Sequence, residues 1–158
     1  MSTYYSNGKI AIPNVTGDIV ITATAVSSAP AYTNLANPSS EDWMNGYRIS
    51  GTGAIVAASG KTLCNKIDCN TNDVIRVKGV TFKSSDDRYL FENTSGSAAS
   101  FAYISALPNV SLSYTMEGDV YAFTILQKTF SGQGNIRFSF DTPTDASAII
   151  ITRNEPIN

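Results

Sequence analysis

The sequence predicts an all-β fold, an antiparallel β-sandwich of jelly-roll-like layout. Three observations carry that expectation. No stretch of about 11 residues shows a 3.6-residue apolar period, so no amphipathic helix is expected. Roughly ten β-branched or alternating runs recur at intervals of about ten residues, each bounded by small polar residues, Gly or Pro. No strand–helix alternation exists that would build a doubly wound parallel sheet.

In chain order, a short apolar run at Lys9–Ile12 opens the series. Asp18–Val26 follows, β-branched and partly alternating, entered through Thr16-Gly17. Gly53–Ala58 comes next. Asn72–Phe82 alternates around Ile75 and Val77, with Arg76 and Lys78 on the other face. Tyr89–Glu92, Ser100–Ala106 and Ser111–Met116 are shorter runs. Gly118–Leu126 reads like Asn72–Phe82, and Asn135–Asp141 is a further strand. Ser147–Arg153 is continuously apolar at its centre, and a central strand is expected there. Three of the runs begin alike: Gly or Asn, then Asp, then β-branched residues, at Gly17-Asp18, Asn72-Asp73 and Gly118-Asp119. The first residue tolerates positive φ and the Asp side chain bonds the turn backbone, so these read as hairpin corners. Turns are expected at Asn37–Ser40, Lys83–Asp87, Asn93–Ser97, Ser131–Asn135 and Asp141–Asp145.

A chain of 158 residues is long enough for one domain with its own core. The opening segment 1–26 reads as a strand and neck, and 27–158 as the sandwich module. Charged residues make up only 15% of the chain, and Ser, Thr, Asn and Gly supply the polar surface instead. With a net charge of −2 and no basic stripe, nothing matches a phosphate backbone, so no nucleic acid is expected as partner. No Lys/Arg-rich amphipathic segment suits a membrane surface, and no apolar run approaches the roughly 18 residues of a spanning helix. The opening MSTYYSNGKIAIP lacks the charged and apolar regions of a signal peptide. The protein is therefore expected to act where it is made, to leave by lysis, or to be a piece of a longer chain. Cys64 and Cys69, in LCNKIDC, are then expected as free thiols.

The chain contains no histidine, which excludes a Ser-His-Asp triad, a Cys-His pair and a His-ligated metal. Neither common phosphate-loop spacing occurs; Gly51-Thr-Gly53 and Gly132-Gln-Gly134 are isolated turn pairs. A carboxylate pair acting on a glycosidic bond is the remaining catalytic option, and no pair is marked out among the 13 acids. Asp86 and Asp87, preceded by two serines, could offer oxygens to calcium, but Lys83 and Arg88 flank them and a solvated turn is expected. No enzyme, catalytic residue, metal or cofactor is expected.

The segment EDWMNGYRIS, Glu41–Ser50, holds the only tryptophan. Asn45-Gly46 is a strong signal for a two-residue hairpin turn. Such a turn would set Trp43 across from Arg48 as a cation–π pair. A straight segment would put Trp43, Tyr47 and Ile49 on one core-facing side. Functionally, Trp43 is either a core brace or an aromatic platform, with Asn45, Tyr47 and Arg48 bonding sugar hydroxyls. These four residues are the candidate ligand-binding set.

Three stretches resemble the β-sandwich modules of phage tail-fibre, baseplate and minor structural proteins: Ile12–Thr24, the block from Trp43 to Gly79 ending in DVIRVKG, and the closing AIIITRNEPI, Ala148–Ile157. The resemblance spans nearly the whole chain and rests on strand and turn motifs. It implies a jelly-roll-like sandwich on the tip of a virion appendage, made in the host cytoplasm and forming a homotrimer with other virion subunits. The implied partner is a host cell-surface polysaccharide or glycan. The rivals are a bacterial carbohydrate-binding module and a structural fibre or baseplate domain without its own ligand.

Overall fold

The computed structural model of the protein describes residues 5–6, 9–10, 32–83, 85–93, 97–127 and 134–157. The expected strand Asp18–Val26 and the boundary near residue 26 lie outside them. The chain folds as two antiparallel sheets of six and four strands, consistent with a β-sandwich. A two-stranded ribbon at the start pairs β1 (Tyr5–Ser6) with β2 (Lys9–Ile10).

The larger sheet contains β3 (Met44–Ile49), β4 (Ile55–Leu63), β5 (Ile67–Cys69), β7 (Arg88–Asn93), β8 (Ala98–Tyr103) and β11 (Gly134–Asp141). Its order is β3-β4-β11-β7-β8, with β5 also pairing β11. The smaller sheet, in order β12-β6-β10-β9, contains β6 (Val74–Lys78), β9 (Leu112–Glu117), β10 (Val120–Ile125) and β12 (Ile150–Arg153). Short 3-10 turns at Ile104–Ala106 and Ala146–Ala148 are the only helical pieces among the described residues.

Period-two alternation builds the main core. Ile75 and Val77 of β6 and Phe123 and Ile125 of β10 face Ile136, Phe138 and Phe140 of β11. The Phe123 and Phe138 rings meet across the sheets at 4.7 Å, and Phe82 packs edge-on against Phe123 at 5.6 Å. Such ring pairs add to the gain from burial. The alternate residues of β11 are buried as well. Arg137, 2% exposed, donates from Nε to the Cys64 carbonyl at 3.0 Å and from its terminal nitrogen to the Asp42 carbonyl. Beside it Ile49, Leu63 and Leu90 form a second, smaller apolar cluster. The larger sheet is thus covered on both faces around β11.

Several expected elements changed. Asn72–Phe82 ends early as β6, because Gly79 takes φ +82° and turns the chain. Phe82 reaches the core from the following loop rather than from the strand. A Cβ on Gly79 would overlap the Ala148 carbonyl oxygen. Gly79→Ala should therefore cost roughly 2–4 kcal/mol, from the left-handed backbone and the overlap together; chemical denaturation measures it. Ser147–Arg153 is not a central strand. β12 is an edge strand, and its apolar run is explained by cover: Leu35 N–H donates to the Ile151 carbonyl, and Asn34 Oδ1 accepts from Ile151 N–H. β4 runs past Ser59-Gly60, which looks like a break in the sequence; Gly60 absorbs the bend at φ +74°.

The most consequential change is at Asn45-Gly46, which forms no hairpin turn. It lies inside β3, where Gly46 takes φ +80° and the register jumps from Asn45↔Thr62 to Tyr47↔Ala57. This is a β-bulge. A bulge switches which residues face which side. Trp43 and Ile49, six positions apart and expected on one face, consequently end in the main and the second cluster respectively. The β3–β4 turn is instead Ser50–Ala54: Ser50 N–H donates to the Ala54 carbonyl at 2.8 Å, and Gly53 takes φ +76°.

Candidate functional site

The loops 79–87, 118–119 and 142–149 converge at one end of the sandwich. Between them lies an open groove of about 470 Å³, lined by residues 79–81 and 141–144 together with Asp119. Its side-chain polar groups are the hydroxyls of Thr81, Thr142 and Thr144 and the carboxylates of Asp119 and Asp141. No aromatic ring lines it among the described residues.

An ion network holds this end in place. Lys61, arriving on β4, places Nζ 2.8 Å from Asp87 Oδ1 and 2.8 Å from Asp141 Oδ1. Asp86 Oδ2 stands 3.8 Å away. Lys83 also pairs with Asp141, and Arg48 pairs with Asp86. Asp87 is fully buried and additionally accepts the Lys83 backbone N–H. The expectation of a solvated turn at Lys83–Arg88 is therefore corrected for Asp87. A carboxylate at 0% exposure is tolerated because it is paired and hydrogen-bonded. Burial alone would lower the pKa of Lys61, but hydrogen bonds and charges from Asp141 and Asp87 outweigh it and raise it. Hydrogen bonds from Lys61 and Lys83 hold the Asp141 carboxyl below the usual carboxylate range.

These directions set signs. The lowered pKa of Asp141 means that its stabilisation is present above its unfolded value, about 3.9, and is lost as pH falls through the folded value. Asp141→Asn should accordingly flatten the acid limb of melting temperature against pH. An acid limb identical to that of the parent would contradict the assignment.

The four candidate residues do not form one platform. Trp43 is 7% exposed and packs edge-on against Phe140 at 6.2 Å, a core position. It makes no cation–π pair with Arg48. That interaction occurs elsewhere, with the Arg88 guanidinium 3.7 Å over the Tyr103 ring. Tyr47 is 38% exposed, outside both apolar clusters. The structure does bring the other two to the loop end. Arg48 joins the ion network through Asp86. The Thr62 hydroxyl donates to Asn45 Oδ1 at 2.9 Å and lies 2.9 Å from the Thr142 hydroxyl at the groove. The Arg48–Asp86 pair is partly exposed on both sides, so Arg48→Ala should cost under about 1 kcal/mol.

Lys61 and Asp141 were not marked out by the sequence, and Asp87 was expected only in a solvated turn. The three lie far apart along the chain: β4 meeting β11 sets Lys61 opposite Asp141, and β7 meeting β11 brings Asp87, the residue before β7, alongside. Asn135, at the end of the turn expected at Ser131–Asn135, belongs to β11 and pairs with Glu92 of β7; residues 131–133 lie outside the described residues. Both side chains are buried, and Glu92 Oε2 and Asn135 Oδ1 have no hydrogen-bond partner among the described residues. Burial pushes the Glu92 carboxyl up, against the pull of Arg137. Neither cysteine is in a disulfide, and both are buried. Burial raises the Cys64 thiol to about 11, far from the thiolate character of a reactive cysteine.

Among the described residues no group of three or more His, Cys, Asp or Glu is placed to hold a metal, and no helix is long and apolar enough to cross a membrane. Comparison of the chain with family models, with curated proteins and with solved structures returned no match.

Proposed function

We propose that the chain is a non-enzymatic module of a phage virion that binds a host-surface glycan, at the tip of a tail appendage and through the loop end of its sandwich. The observation that carries the reading is the open groove of about 470 Å³ lined by hydroxyls and carboxylates. Sugar hydroxyls are bonded by groups of this kind, and shallow sites give weak contacts that multivalent display amplifies. The virion setting rests on the strand and turn motifs of Ile12–Thr24, Trp43–Gly79 and Ala148–Ile157. With it come synthesis in the host cytoplasm and assembly as a homotrimer through the opening segment. In this role the protein holds its ligand and releases no reducing sugar from cell-wall polysaccharide.

A second reading, a structural fibre or baseplate domain without its own ligand, is favoured by the lack of an aromatic ring among the described groove residues. A glycan array probed with the chain displayed on a multivalent carrier separates the two. The binding reading predicts retention by host cell-wall polysaccharides, lost in Thr81→Ala and Thr144→Ala at an unchanged melting temperature. Retention of no glycan at all supports the structural domain.

A further inference from the structure

We infer that the outer edge of β9 is a docking surface for a second copy of this chain, joining the two smaller sheets edge to edge across a two-fold axis. The inference stands on backbone geometry and does not depend on the proposed ligand.

Among the described residues, four of the exposed large hydrophobic residues lie on or beside the β9–β10 hairpin, and the other three, Tyr47 on β3 and Phe101 and Tyr103 on β8, belong to the larger sheet. Of the four, Val110 lies on the connection before β9, Tyr114 and Met116 on β9, and Leu126 just past β10. β9 is an outermost strand of the smaller sheet. Natural edge strands are blunted by lysines, prolines, bulges or covering segments. β12, the opposite edge of the smaller sheet, is covered in that way by Asn34 and Leu35. β9 reads Leu-Ser-Tyr-Thr-Met-Glu, with neither Lys nor Pro, and pairs with β10 in unbroken register.

The free backbone groups fix how a partner strand would pair. β9 and β10 are joined by the two-residue turn Gly118-Asp119, with Gly118 at φ +66°, closing on Glu117↔Val120. Such a turn closes on a hydrogen-bonded pair, and hydrogen-bonded pairs then recur at every second residue. Ser113, Thr115 and Glu117 therefore turn their backbone groups to β10, and Leu112, Tyr114 and Met116 turn theirs outward. Leu112 is already satisfied: its N–H donates to Asn109 Oδ1 at 2.9 Å, and its carbonyl accepts from Asn109 N–H at 2.9 Å. The N–H and C=O of Tyr114 and Met116 have no partner among the described residues.

One antiparallel self-pairing uses these groups and no others. It sets Tyr114 opposite Met116 of the second copy, Met116 opposite its Tyr114, and Thr115 opposite Thr115. The aromatic ring then meets the thioether on one face, twice by symmetry. Thr115 meets itself on the other face, and Ser113 meets Glu117. No like charges oppose each other.

The test is sedimentation equilibrium of the full chain, together with cysteine cross-linking. Thr115–Thr115 would be a non-hydrogen-bonded pair with Cα atoms about 4.5 Å apart, within disulfide reach. Thr115→Cys should give a covalent dimer on a non-reducing denaturing gel after mild oxidation, whereas Ser113→Cys, which faces Glu117, should not. Met116→Pro removes an N–H that β10 does not use, so it should halve the assembled mass and keep the fold by circular dichroism. The inference is overturned by a chain that stays monomeric at every concentration, by equal cross-linking of the two cysteine variants, or by an assembled mass that Met116→Pro leaves unchanged.

Discussion

Trp43→Ala is expected to lower stability by roughly 3–5 kcal/mol, the range for truncating a large buried aromatic. The side chain is 7% exposed, belongs to the main cluster and meets Phe140 edge-on. Little can collapse into the space, because Trp43 sits where β3 begins, anchored by its N–H to the Ser40 carbonyl at 3.0 Å. Glycan binding per folded molecule should be unchanged, since the ring does not line the groove. An aromatic platform would give the opposite pattern: a loss of stability within about 1 kcal/mol, and lost binding. A denaturant melt and a binding assay on the same variant decide between them.

Lys61→Met is expected to be about as costly, some 3–5 kcal/mol, by the logic of breaking a buried ion pair from one side. The methionine keeps most of the aliphatic volume but leaves Asp87 fully buried without its ammonium partner. Asp141 keeps only Lys83, whose side chain is far more exposed than that of Lys61. Exposed pairs of that kind contribute little. Because the raised pKa of Lys61 supplies stability that is present below about pH 10.4 and lost as pH rises through the folded value, the parent should weaken at high pH and Lys61→Met should not share that loss. A variant as stable as the parent at neutral pH would show that the network is dispensable.

The all-β class and most strand positions were legible because alternation in runs such as Asn72–Phe82 follows from a sheet with one face turned to the core. Asn45-Gly46 misled because one chemical property, tolerance of positive φ at Gly46, serves a hairpin turn and a bulge equally well. What chose the bulge was pairing with β4, a partner that a local pattern does not name. Ser147–Arg153 misled for a related reason: a continuous apolar run reports burial on both faces, and here the cover comes from residues 34 and 35, over a hundred positions away. Of the four residues expected to bind ligand, Arg48 and Asn45 reach the loop end through Asp86 and Thr62, and none of the four lines the groove. The ion network was not legible, because Lys61, Asp87 and Asp141 become neighbours only through strand pairing.

The central claim, that the loop end holds a glycan, is tested most directly by mapping backbone amide shifts as host cell-wall oligosaccharide is titrated into the chain. The account predicts saturable shifts confined to residues 79–81, 119 and 141–144 around the groove. Shifts centred on Tyr47 and β3 instead, or no saturable shift at any oligosaccharide concentration, would contradict it.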